Sequence, residues 1–362
     1  MFSKKALADL LEKHEVFFKD LVAAKEHLNE RFFGLSEEIH CLLLAVASGE
    51  SMLLIGPPGT AKSRLIRAFT HFSGLIGKEE IVAAGKADKS NGLVKLKRED
   101  RYFEYLLTPF TEPNELFGYF DIGKLMSEQK AGGKLERLHQ GMMQHAEVVF
   151  LDEVFNASSA ILNSLLTFVN ERKFHDRGDS YAVKLSCLFG ATNYPPRKPE
   201  LMAIYDRFLL RSWVDNARAR TDEFGELLQA GWKETNAAEA EITRPELLKR
   251  AEAFRKDVRA MSSDGRLAID PQDDAVNLMM ARLADIAAQA RREHFSLVSN
   301  RRLVRFSKIF LINALLRAAE ANKGDPEITV QEDLAVFIRF GLDREVDPQQ
   351  RKSLESLLVG EQ

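Results

Sequence analysis

Residues 51–65 read SMLLIGPPGTAKSRL, and this stretch limits the chain to few architectures. MLLI is unbroken apolar sequence, as expected of a strand covered on both faces. The glycines and prolines that follow end it abruptly, and Leu65, Ile66, Phe69 and Phe72 then recur at helical spacing. Further buried-strand candidates are VVFLD (148–152), LSCLFG (185–190) and LLRSWV (209–214). Helical patterns alternate with them, for example SSAILNSLLTFVNE (158–171). Strand and helix in alternation predict an α/β fold, a parallel-stranded sheet sandwiched by helices. Strand signals stop after about residue 217, and strong helical patterns cover 276–290 and 303–319. The expected order is an amphipathic N-terminal helix over 1–30, an α/β core over 31–215, and a small all-α lid domain with a tail over 216–362. ITRPE and AIDPQDD supply the loop punctuation of the last part. Within the first 50 residues, one helix should carry Leu7, Leu10, Leu11, Phe17, Phe18, Leu21 and Val22. A second should start at Ser36 as N-cap and stop at Ser48-Gly49.

The turn itself has the outline of a phosphate-binding loop, which asks for Gly, four residues, Gly, Lys, then Ser or Thr. Gly56, Pro57, Pro58, Gly59, Thr60, Lys62 and Ser63 fit, but Ala61 stands where the second fixed glycine is expected. Such a loop curls backbone N–H groups around phosphate oxygens at the positive end of the next helix. Ala61 lies at the helix entrance, where a helical backbone would tolerate one methyl. Lys62 would reach the terminal phosphates and Ser63 would hold Mg²⁺. An ordinary glycine-rich turn is the competing reading, but Lys-Ser at a helix start runs against the dipole. The candidate nucleotide-binding set runs from Gly56 to Ser63 and includes Arg64. In VVFLDE, Asp152 and Glu153 end an apolar strand, where carboxylates serve no packing purpose. Ligands of open α/β sheets bind beyond the strands' carboxyl ends. Asp152 is therefore placed to support the same Mg²⁺, and Glu153 to polarise a water for attack on a γ-phosphate.

Composition excludes several other classes. Over 362 residues the formal charge is −3, so no global basic field favours nucleic acid or an anionic membrane. Cys41 and Cys187 sit inside apolar runs without metal-ligand spacing and suit a reducing compartment. Asp9, Glu12 and Glu15 interrupt any signal-peptide core, and no apolar run approaches the roughly 20 residues that cross a bilayer, so a cytoplasmic protein is expected. The eight histidines show no HExxH spacing. Met142-Met143 and Met279-Met280 read as packing.

With GPPGTAKS, FLDE, GATN and DRF in this order, the chain resembles the MoxR group of AAA+ ATPases over roughly residues 30–320. YFEYLLTPFTEPNELFG and LDEVFNASSAILNSLLTFVNERKF are especially similar to its RavA-like branch. The resemblance implies an AAA+ P-loop NTPase that binds ATP with Mg²⁺ between subunits of a hexameric ring. It implies that Asn193 is the sensor that orients the attacking water, and that Arg207 is an arginine finger reaching a neighbour's γ-phosphate, with Arg211 as substitute. It implies a sensor arginine in the lid, Arg301, or alternatively Arg302; Ser299 should cap that helix. It further implies hairpin insertions over 118–141 and 172–185, turning in the second at Asp176-Arg177-Gly178-Asp179. RavA-like chains often continue well past the lid, whereas this sequence ends at Gln362.

The leading functional expectation is an ATP-hydrolysing, chaperone-like remodeller that acts as a homo-oligomeric ring on a client protein, often one with a von Willebrand factor A (vWA) domain. A nucleotide-gated scaffold with little turnover is the alternative. A nucleic-acid motor is a third reading. Its basic stretch, Lys86, Lys89, Lys95, Lys97, Arg98 and Arg101, is interrupted by Asp88, Glu99 and Asp100 and reads better as a solvated face.

Overall fold

The structure, a computed structural model, describes residues 2–76, 101–121, 123, 137–176, 179–215, 225–229, 231–232, 242–269, 274–294, 296–344 and 348–359. Lys86, Lys89, Lys95, Lys97 and Arg98 lie outside these, as do most of 118–141 and the centre of the turn at Arg177-Gly178. In chain order the elements begin with α1 (Lys4–Lys13), α2 (Glu15–Arg31), α3 (Ser36–Ser48), β1 (Met52–Ile55), α4 (Lys62–Phe72), β2 (Tyr102–Leu106) and α5 (Pro113–Phe117). They continue with β3 (Val148–Asp152), α6 (Ser159–Glu171), β4 (Lys173–Asp176), β5 (Asp179–Ala182), β6 (Cys187–Thr192), α7 (Pro199–Tyr205) and β7 (Leu210–Trp213). The last helices are α8 (Leu247–Ser263), α9 (Asp274–Arg292), α10 (Asn300–Glu320), α11 (Val330–Phe340) and α12 (Pro348–Val359).

The chain forms two compact units, Met1–Ile55 with Leu209–Gln362, and Gly56–Phe208. The strands of the second unit lie in the order β2-β3-β6, and in the first unit β1 lies beside β7. In the second unit β2 pairs with β3 in parallel, Tyr102 opposite Val148, and β3 with β6, Val148 opposite Cys187 and Leu151 opposite Gly190. In the first unit β1 runs parallel to β7, Met52 opposite Leu210. Every residue of MLLI and of CLFGAT is buried, as unbroken apolar runs require. The β6 strand begins two residues later than the apolar pattern implies. The backbone N–H groups of Ser186 and Cys187 both donate to Glu147 O, and this sets the edge of the pairing. An antiparallel hairpin, β4 with β5, joins α6 to β6.

The first unit shows two departures from the sequence pattern. The N-terminal amphipathic stretch is two helices, broken at His14 (φ −112°, ψ 25°). The break has a tertiary cause: His14 Nε2 lies 2.7 Å from Asp257 Oδ2, and its ring meets Phe254 edge-on at 5.4 Å. Phe254 also packs against Phe17 and Phe18, so one α8 side chain gathers both helices. Ser36 is the first helical residue of α3 rather than its cap, and its hydroxyl donates to Asn29 Oδ1 at 2.8 Å. The C-terminus behaves as expected, with Gly49 left-handed at φ 69°. There the Val46 carbonyl accepts from Arg255 Nη1 at 2.8 Å and the Ser48 carbonyl from Lys308 Nζ, cations placed at the negative end of a helix. Among the described residues no helix is long and apolar enough to cross a membrane. Cys41 and Cys187 are buried, reduced cysteines.

Glu38, on α3, is 5% exposed. Burial pushes its carboxyl up to about 7; the neighbouring Glu37 adds to this, and its backbone and Ser212 hydrogen bonds oppose it. A carboxyl raised in the fold is neutral in both states at low pH, so its penalty is absent there. The penalty grows as pH rises from the unfolded value through about 7, and amounts to roughly 3 kcal/mol above it. Glu38→Gln should therefore be close to wild-type stability near pH 4.5 and exceed it by about 3 kcal/mol at pH 8. Urea unfolding at both pH values checks this; an unchanging difference contradicts it.

Candidate active site at the strand ends

The loop, the acidic strand end, Asn193 and Arg207 lie within the second unit. The loop that opens it is anchored first at its start, where Gly56 N–H donates to Thr192 O at 3.1 Å. Gly59 follows at φ +85°, a left-handed turn with open space where a Cβ would stand. Thr60 Oγ1 donates to Pro57 O at 2.9 Å and tightens the turn. Ala61 is the N-cap of α4 and is itself left-handed, at φ 59°, ψ 19°. This corrects the expectation of an ordinary helical entrance, and it explains why glycine suits the position: an alanine here costs about 1 kcal/mol.

Lys62 is 8% exposed. Its ammonium donates to Gly56 O at 2.7 Å and Pro57 O at 2.9 Å, so the loop's own carbonyls hold the charge beneath it. Burial lowers its pKa, while Asp152 and Glu153 pull the other way. Ser63 Oγ donates to Asp152 Oδ2 at 3.1 Å across 89 residues of sequence. A hydroxyl beside a carboxylate is a hard oxygen pair of the sort Mg²⁺ accepts, alongside waters and phosphate oxygens. Among the described residues no group of three or more His, Cys, Asp or Glu could cage a metal. Arg64 points outward from α4.

Glu153 stands just past β3 with left-handed backbone (φ 51°, ψ 45°) and opens a 3-10 turn, Val154–Asn156. Its N–H donates to Asp152 Oδ1 at 3.0 Å, which helps hold this conformation. Asn193 Nδ2 donates to Glu153 Oε1, and Asn156 Nδ2 approaches Oε2 at 3.5 Å. Burial raises the Glu153 pKa, and the Asp152 charge adds to this; Lys62 and Asn193 oppose it. The structure thus joins Lys62, Ser63, Asp152, Glu153 and Asn193 in one place. Asn156 escaped the sequence reading; its spacing of three after an acid at a strand end was the available signal.

The arginines separate by burial. Arg207 is a quarter exposed and paired with Asp206 at 3.9 Å. Arg211 is 2% exposed inside β7 and bonds Asp343 Oδ1 at 2.6 Å, so a role as substitute finger would require breaking a buried ion pair. In the first unit Ser299 caps α10, its hydroxyl accepting from Arg302 N–H at 3.2 Å. Arg302 is 1% exposed and donates to Leu209 O at 2.7 Å and Gly341 O at 3.1 Å, whereas Arg301 is only half-buried.

Residues 19–81 and 73–253 match the MoxR domain of the MoxR–vWA–β-propeller ternary systems. The chain belongs to this MoxR family. Its fold is accordingly that of an AAA+ ATPase. Two uncharacterised proteins of Methanocaldococcus jannaschii are each 38% identical over 195 residues, 54% of this chain and 44% of theirs. A structural protein of Acidianus two-tailed virus is 27% identical over 211 residues, 56% of this chain and 30% of its own. The MoxR chain therefore matches less than half the length of these relatives. A crystal structure from Cytophaga hutchinsonii, ascribed to an ATPase, superposes with a TM-score of 0.60 at 14% identity over 96% of each chain, a likeness of fold.

The left-handed Ala61 gives this MoxR chain a local test. Ala61→Gly should raise stability by about 0.5 kcal/mol, the strain relieved less the entropy glycine adds to the unfolded state. Ala61→Val, β-branched at positive φ, should lower it by more than about 1 kcal/mol. Urea midpoints for the two variants should move in opposite directions.

Proposed function

We propose that the chain hydrolyses ATP as one subunit of a homo-oligomeric ring, which resemblance suggests is hexameric, and that the ring remodels a partner protein in the cytoplasm. The observation that carries this is the convergence of Ser63 with Asp152 and of Glu153 with Asn193 at the ends of adjacent strands, under a phosphate-type loop. The backbone N–H groups of Gly59, Thr60 and Ala61, with Lys62, bind and orient the triphosphate in the loop that Gly56, Pro57 and Pro58 begin; Arg64 borders it. Ser63 and Asp152 hold Mg²⁺, which when bound neutralises phosphate charge. Glu153 accepts the proton of the attacking water, and Asn193 fixes the carboxylate that does so. Arg207 serves a neighbour's site in trans, and Arg301 presents the lid's charge. The catalytic α/β part is taken as 31–215 and the lid as 216–362.

A vWA-containing partner is the best-supported client, because the matched family is described from systems that pair MoxR with vWA proteins. The stretches 102–118 and 151–174 support a place near the RavA-like branch.

Turnover and binding must be measured together. Glu153→Gln should lower kcat about 100-fold or more while Mg·ATP affinity stays within about threefold. Equal, negligible rates in wild type and variant would instead establish the nucleotide-gated scaffold. Arg207→Ala should lower kcat about 1000-fold and affinity far less; parallel losses of rate and affinity argue against a trans role.

A further inference from the structure

Phe155 is the middle residue of the turn Val154–Asn156 that Glu153 opens. Its half-buried ring meets two others edge-on, Tyr205 at 5.9 Å and Phe208 at 6.4 Å between centroids. Those two residues bracket Asp206 and Arg207. Both are almost completely buried, at 3% and 1% exposed, so they are fixed points rather than surface rings. The segment between them is tightly wound, with Arg207 N–H donating to Ile204 O at 3.0 Å and Phe208 N–H to Tyr205 O at 3.3 Å. At its other end the turn is tied to the glutamate: Asn156 N–H donates to Glu153 O at 2.8 Å, and Val154 is fully buried. Edge-to-face rings attract each other at these spacings, and close-packed interiors transmit displacement rather than absorb it. A change in the left-handed backbone of Glu153 must therefore move the Phe155 ring against the two residues that hold Arg207.

We propose that Phe155 is a positioning residue that couples the Glu153 turn to the Arg207 segment, so that the glutamate of one subunit and the arginine it offers a neighbour change position together. This rests on the reading of Arg207 as acting in trans. The ring touches neither nucleotide-loop nor metal-site residues in any described contact, so its effect should appear in turnover and not in binding.

The test is a double-mutant cycle on the full chain, with steady-state ATP hydrolysis and Mg·ATP binding measured for wild type, Phe155→Ala, Phe155→Tyr, Arg207→Ala and the double variant. Phe155→Ala should lower kcat about tenfold with affinity within about twofold, and Phe155→Tyr should keep the wild-type rate. The double variant should be no slower than Arg207→Ala alone, because the phenylalanine acts through the arginine. Phe155→Leu, which keeps apolar volume without the ring edge, should follow Phe155→Ala and stands in for it if that variant fails to fold. Losses that multiply in the double variant overturn the coupling alone, as does a Phe155→Ala variant whose affinity falls in step with its rate. An active wild type with an equally active Arg207→Ala overturns the trans-arginine reading, and the coupling with it.

Discussion

Parallel pairing of β3 with β6 is the constraint on which the site depends. Parallel strands end on the same side, so Leu151 opposite Gly190 carries Glu153 to the level of Thr192, one residue before Asn193. Thr192 then supplies the carbonyl that receives Gly56 N–H, and the loop starts where the acidic strand ends. Gly56 and Thr192, 136 positions apart along the chain, meet because strand ends coincide, and no long-range side-chain recognition is needed to bring them together. A slip of two residues in this register would separate Glu153 from Asn193 while leaving every apolar side chain on its original face. Packing alone therefore leaves the alignment undecided, and polar contacts such as Ser186 and Cys187 N–H to Glu147 O must help to fix it.

The site also concentrates strain. Two of the non-glycine residues with positive φ, Ala61 and Glu153, fall in it, one on each side of the Ser63–Asp152 contact. Each costs on the order of 1 kcal/mol, and each persists because the surroundings hold it. Ala61 starts α4, its carbonyl accepting from Leu65 N–H at 2.9 Å. Glu153 is held by Asp152 Oδ1 on one side and by the Asn156 turn on the other. The outcome at Glu153 is a carboxylate turned toward Asn193 instead of continuing the alternation of the strand. Strain of this kind is ordinary where a side chain must be aimed.

Much of this was legible from residue order. Unbroken apolar runs announced β1, β3 and β7 within a residue at either end, because strands buried on both faces admit little else. The loop and the acid pair were legible because their chemistry has no packing explanation. What escaped was fixed by contacts between distant residues. Nothing local marks His14 as a helix break; Asp257 and Phe254 make it one. Ser36 has the identity of a cap but bonds Asn29. The left-handed Ala61 escaped because alanine in sequence signals helix, while the loop geometry demands what glycine would do more cheaply.

The arginines differ in solvation where the motif treats them alike. Arg207 and Arg211 are four residues apart in one short motif, and Arg301 and Arg302 are adjacent, so spacing does not separate the members of either pair. Their burial does. A guanidinium removed from water must be repaid by fixed partners, and once repaid it cannot leave them without the whole desolvation cost returning. Arg211, with Asp343, and Arg302, with two backbone carbonyls, are in that position. Arg207 and Arg301 retain access to water, and the ion pair of Arg207 with Asp206 is long. For the trans role proposed for Arg207, this difference lowers the desolvation cost of leaving its present place.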